Sequence, residues 1–195
     1  IVTEQALLKI GLLDGFISSL RDAGFSPVIF DGVLANPTDK VAEAAFSAFQ
    51  TSKCDSLIGF GGGSAMDTAK AVRAMAANPE KSIYSFEGIG KVGKVGPFMA
   101  CVSTTSGTAA EVTSNAVITD TNRKVKMVII DSALIPDIAV NDPSLMVGLP
   151  AAVTAATGMD ALTHAIEAYV SVGAHTLTDH SALAAIKVIA DYLPQ

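Results

Sequence analysis

The chain has 195 residues with a formal charge of −6, and 50% of it is hydrophobic against 16% charged. That balance excludes disorder and suffices for one α/β domain plus the start of a second. Its 13 Lys and Arg form no run, which leaves no basic footprint for nucleic acid or anionic lipid.

In chain order, Ile1-Val2-Thr3 reads as the tail of a buried strand with no initiator Met before it, so a fragment of a longer protein is expected. Apolar residues at helical spacing (Leu7, Leu8, Leu12, Leu13, Phe16, Ile17, Leu20) predict one helix from Glu4 to Arg21, stopped by Gly24. Residues 27–30 form a short buried run, and Thr38 or Asp39 then caps an alanine-rich helix to about Ser52. A strand at 56–60, a triple-glycine turn and a helix from Ser64 to Ala77 follow, ended by Asn78-Pro79. The alternation predicts an α/β fold with a parallel sheet.

Residues 98–103 predict another buried strand, while 112–119 and 125–131 read as two strands joined at Asp120-Thr121-Asn122, a hairpin decorating the sheet. After 138–140 the pattern turns helical: Pro150 suits a first turn, 151–170 is largely helical and 178–192 is amphipathic. This places a dinucleotide-binding type of domain at 1–149 and the start of a helical domain at 150–195. The longest uncharged stretch, 143–159, contains Pro150 and two glycines and reads as no membrane span. Cys54 and Cys101 are far apart beside apolar residues, which fits reduced thiols and a cytoplasmic protein.

Gly61-Gly62-Gly63-Ser64, with Asp67 and Lys70 beyond it, lies between a strand and a helix. Glycines let the backbone approach an anion, and the free amides of the helix start favour a phosphate. A tight turn explains one glycine readily but three in succession poorly. The segment is neither the Rossmann fingerprint, lacking its third glycine, nor a P-loop. Ser103 to Thr108 is a hydroxyl-rich loop after the next strand, placed at the same carboxyl edge; a helix cap before Ala109-Ala110-Glu111 is the alternative. Glu4, just after a strand, can accept hydrogen bonds from a ribose and repel a 2′-phosphate, or serve only as a helix-start carboxylate. Asp160 and His164 lie at i and i+4 on one helical face, as two ligands of one metal must, although for the pair taken alone a local Asp–His hydrogen bond on a partly exposed face is the simpler account. His175 and His180 read as surface or capping residues.

These motifs resemble the iron-containing, group III alcohol dehydrogenases. The resemblance rests on Asn36-Pro37-Thr38, Gly61 to Ser64 with Asp67 and Lys70, Thr104 to Thr113, and Ala156 to Glu167, which occur in family order across essentially the whole chain. It implies a dehydroquinate synthase-like α/β dinucleotide domain followed by an all-helical metal domain, with NAD in the cleft between them. By position, Glu4 resembles the acidic residue that favours NAD, and Asn36, Gly62, Gly63, Ser64 and Asp67 match the cofactor cradle. Thr104, Thr105 and Thr108 match its second wall, and Asn115, Val117 and Lys126 match further cofactor contacts on the hairpin. Asp160 and His164 match two of four metal ligands, for Fe²⁺ with Zn²⁺ as the alternative.

The resemblance further implies hydride transfer between a small primary alcohol or diol and NAD, giving the aldehyde, in a homo-oligomer of at least two chains. The family's other two ligands are histidines beyond Gln195 and its opening strand precedes Ile1, so an incomplete active site is expected of these 195 residues. The alternatives are a glycerol dehydrogenase or dehydroquinate synthase type of enzyme, a phosphotransferase using the glycine loop, and a non-catalytic nucleotide-binding fragment.

Overall fold

Apolar runs alternating with alanine-rich amphipathic segments fold the first part of the chain into a parallel sheet flanked by helices. In the computed structural model, which describes all 195 residues, the chain packs as two units. One comprises 1–104 and 110–145, the other 105–109 and 146–195.

In the first unit, β1 (Ser56–Gly61), β3 (Phe98–Ser103) and β6 (Ile138–Val140) are parallel in the order β1-β3-β6. Val2 extends the sheet on the far side of β1, bridging Gly59 and Phe30, both in parallel. α4 (Gly63–Ala77) lies on one face, its Ala65, Met66, Ala69 and Val72 packed with Leu57, Met99 and Cys101. α3 (Asp39–Thr51) lies beside it, started by Thr38, whose Oγ1 accepts from the Val41 amide at 3.3 Å. On the other face α2 (Asp14–Asp22) and the residue before it send Ile17 and Leu13 against Phe60 and Val102.

A second sheet forms from β2 (Gly88–Ile89), β5 (Val125–Ile130) and β4 (Asn115–Asp120) in the order β2-β5-β4, with β4 and β5 antiparallel. Its Ile118, Met127 and Ile129 pack with Ala71, Ala74 and Met75 of α4. Having a sheet on either side, α4 is buried almost all round, which is why its sequence shows no clean polar face.

The structure corrects several expectations. The single helix from Glu4 to Arg21 is two, α1 (Gln5–Lys9) and α2, because Gly11 takes φ +72° and reverses the chain between them. The hairpin does not decorate the parallel sheet but joins β2 in a sheet of its own. β4 begins at Asn115 rather than 112, and no helix forms at Ala109-Ala110-Glu111, where Ala109 takes φ +51°. The helix-cap reading of the hydroxyl loop therefore fails. Both cysteines are free, and burial pushes the Cys101 thiol up to about 11, leaving it inert.

The second unit contains α5 (Ala151–Val170) and α6 (Thr176–Tyr192), which pack on each other with Ala165 and Ala182 buried. Ile166, Tyr169, Leu177 and Val188 remain exposed. No helix is long and apolar enough to cross a membrane.

Candidate functional site

β1 ends at Gly61, whose φ of +148° turns the chain into α4. A Cβ there would lie 2.9 Å from the Ala65 Cβ, so only glycine fits. The amides of Gly62, Gly63 and Ser64 meet no acceptor of the chain, whereas those of Ala65 and Met66 are taken by the Gly62 carbonyl. Three free donors at the start of a fifteen-residue helix make an anion cradle. The Thr104 amide donates to the Gly61 carbonyl at 3.0 Å, which fixes the end of β3 beside this turn. Glu4 approaches from the other side, its Oε1 3.9 Å from where a Gly61 Cβ would stand. The side chain is half-buried and burial raises its pKa. Glu4 is the N-cap position of α1 but makes no capping hydrogen bond, so the carboxylate is available.

Asn36 is exposed in a left-handed turn, φ +55°. That turn is tied down on both sides: the Pro37 carbonyl accepts from the Thr119 amide at 2.8 Å, and the buried Asp39 accepts from Tyr84 Oη at 2.6 Å and Thr121 Oγ1 at 3.0 Å. Asn115 and Val117 of β4 and Lys126 of β5 share the open face of the second sheet, since Lys126 pairs with Thr119 and alternate residues of β4 face outward.

Asp67 and Lys70, one turn apart on α4, reach β4 directly. Asp67 Oδ2 accepts the Val117 amide at 3.0 Å, and Lys70 Nζ donates to the Thr113 carbonyl, Thr113 Oγ1 and the Asn115 carbonyl at 2.7, 3.1 and 2.8 Å. Asp67 thus ties α4 to β4 through a structural bond.

Burial pushes the Asp67 carboxyl up to about 6, against the lowering effects of the Val117 amide and of Lys70. A carboxyl whose folded pKa lies above the unfolded one favours folding below about 3.8 and loses that contribution as pH rises through about 6. Asp67→Asn keeps an acceptor for Val117 and removes the buried charge. It should raise the melting midpoint at pH 7.5 relative to the parent, with the difference vanishing by about pH 4. Thermal melts across that range check it; an equal gain at both ends would show that charge burial is not the cause.

In the second unit, Thr105 is half-buried and Thr108 exposed on the segment that packs against α5. A Cβ on Gly107 would lie 3.2 Å from the Thr157 Cβ and 3.3 Å from Asp160 Oδ2, so this loop rests on the Asp160 face of the helix. Asp160 Oδ1 and His164 Nε2 stand 3.7 Å apart, a carboxylate oxygen and an imidazole nitrogen on one side of α5. No third His, Cys, Asp or Glu joins them to make a metal-holding group. His175 is the N-cap of α6, its amide donating to Thr178 Oγ1 at 2.9 Å.

Sequence reasoning grouped these residues by motif but missed the contacts that hold them. Tyr84 and Thr121 carry no motif, and Thr113 enters only as the last residue of the Thr104 to Thr113 string; their partners stand 45, 82 and 43 positions away.

Comparison with known proteins shows the family. Residues 1–143 match the family model described as iron-containing alcohol dehydrogenase, and residues 154–195 match the Fe-containing alcohol dehydrogenase family, C-terminal. The chain is 45% identical over 195 residues to an NAD-dependent methanol dehydrogenase of Bacillus methanolicus, covering 100% of the chain and 51% of that protein. It is 44% identical over 197 residues to a 1,3-propanediol dehydrogenase of Citrobacter freundii, with the same coverages. A crystal structure of a 1,3-propanediol oxidoreductase superposes with a TM-score of 0.94 at 45% identity, over 98% of this chain and 50% of that one. The chain spans about half the length of the curated relatives it matches.

Proposed function

The chain belongs to the iron-containing alcohol dehydrogenase family, and on that premise we propose that it serves NAD-linked interconversion of small primary alcohols or diols with their aldehydes. The observation that carries this reading is the cradle at the end of β1: three unpaired amides with the Glu4 carboxylate beside them. Free amides at a helix start suit a pyrophosphate, and a carboxylate next to them suits a ribose diol while opposing a third phosphate.

In this reading Gly62, Gly63 and Ser64 bind the pyrophosphate, and Thr104 closes that side of the cradle. Glu4 selects NAD, Asn36 and Asp67 complete the cradle, and Asn115, Val117 and Lys126 offer the further wall. Thr105 and Thr108 extend the hydroxyl loop that rests on α5. Asp160 and His164 would hold a divalent metal. Their donor chemistry, one carboxylate and one imidazole, fits Fe²⁺ or Zn²⁺, and two donors make part of a coordination sphere rather than a whole one. A metal bound there supplies Lewis acidity that lowers the alcohol's pKa, and NAD supplies the hydride acceptor. What the residues of this chain contribute is placement: of the dinucleotide by amides and hydroxyls, and of the metal by a rigid helical pair.

Titration with NADH, followed by its fluorescence, tests the reading. Saturable binding on the order of micromolar to millimolar is expected; tight ATP binding with none of NADH would refute it. Glu4→Ala should improve NADP⁺ relative to NAD⁺ by about 10- to 100-fold in affinity, because a like charge held a few ångströms from the 2′-phosphate is lost. Unchanged preference in paired titrations would remove Glu4 from the site.

A further inference from the structure

We propose that Lys70 is a positioning residue that sets the Asn115 end of β4 against the glycine turn and thereby shapes the nucleotide site. The inference rests on the reading above.

Lys70 is fully buried, yet it makes no ion pair; its ammonium is held by neutral oxygens alone, two on Thr113 and one on Asn115. Burial lowers its pKa, and the carboxylates of Asp67 and Glu111 act in the opposite direction from a distance. Taking an ammonium out of water is expensive, and only good geometry with its protons hydrogen-bonded offsets the cost. A buried ammonium with three satisfied donors is therefore best explained by what those bonds fix.

They fix a particular place. All three acceptors lie at the entry to β4, and the carbonyl of Asn115 is the first strand residue's own. One turn nearer the glycine turn, Asp67 takes the Val117 amide. Positions 113, 115 and 117, all on β4 or its approach, are thus gripped by the helix whose first amides form the cradle. The side chains of Asn115 and Val117 meanwhile occupy the open face of the sheet. A shift of Lys70 by a fraction of an ångström moves Asn115 relative to the pyrophosphate donors, a scale that matters for binding.

The test is a double-mutant cycle read by NADH fluorescence titration. Lys70→Met and Asn115→Ala should each weaken NADH binding about tenfold, and the double variant should be no weaker than either alone: Lys70 holds the Asn115 backbone carbonyl, which alanine keeps, and so acts on the nucleotide only through where the Asn115 side chain stands. Thr113→Val, which deletes a single acceptor and spares the buried charge, should weaken binding about threefold in the parent and not at all in the Asn115→Ala background. This milder variant decides the matter if Lys70→Met does not fold. Lys70→Met that melts lower but binds NADH like the parent, or losses that simply add, would reduce Lys70 to a fold residue. If the unsubstituted protein itself fails to bind NADH, the nucleotide reading falls and the proposal with it; binding by the parent together with additive losses overturns the proposal alone.

Discussion

In a protein that supplies the remaining metal ligands alongside these residues, His164→Ala is expected to abolish alcohol oxidation, lowering kcat/KM by at least about a thousandfold, since Lewis-acid assistance of this kind is worth several kcal/mol. The imidazole is exposed and engages only Asp160, at 3.7 Å. Its removal should cost little stability, because surface substitutions without a special contact usually fall within about 0.5 kcal/mol. NADH affinity should stay within about twofold, because the amides of Gly62, Gly63 and Ser64 belong to the other unit and do not depend on α5. Asp160→Asn should act in the same direction, as it keeps the shape and loses the anion that a divalent cation needs. Three measurements separate the outcomes: steady-state oxidation of a small primary alcohol, metal content of the purified protein, and NADH titration. Lost metal with intact NADH binding places the pair at the metal. Retained metal and retained turnover would return Asp160 and His164 to the simple reading, a local contact on an exposed helix.

How much of this the sequence discloses depends on whether a feature is local. The turn at Gly61 to Ser64 is local, and its position between an apolar run and an alanine-rich helix suffices to predict a strand, a glycine turn and a helix start there, as observed. The i, i+4 spacing of Asp160 and His164 is local too, and α5 carries both as expected. The failures share the opposite property. Gly11 sits inside an apolar pattern of helical period, and nothing nearby announces that it will adopt φ +72°. β2 is two residues long and exists only because Ile130 offers it a partner. The hairpin forms its own sheet because α4 comes between it and the parallel strands, a fact of packing that no window on 115–130 contains. Lys70 is the sharpest case. Its spacing groups it with the glycine turn, and only the fold shows it buried, with its acceptors 43 and 45 positions away.

The largest effect on nucleotide binding is expected from Gly61→Ala. Its φ of +148° strains any side chain, and the added Cβ would come within 2.9 Å of the Ala65 Cβ at the base of α4. Strain and overpacking together should cost about 3 kcal/mol of stability. Relief requires the start of α4 to move away from β1, and the unpaired amides of Gly62, Gly63 and Ser64 move with it. NADH affinity should therefore fall about a hundredfold, since a cradle of three donors has to meet the pyrophosphate as a set. Gly90→Ala provides the comparison. Gly90 also has a positive φ, +70°, but a Cβ there meets nothing within 4 Å, so the substitution should cost about 1 kcal/mol and leave NADH binding unchanged. Denaturant titration and NADH fluorescence on the two variants tell conformational strain apart from loss of the site. If Gly61→Ala were destabilised yet bound NADH as the parent does, the glycine turn would be a packing device and the pyrophosphate would have to rest elsewhere.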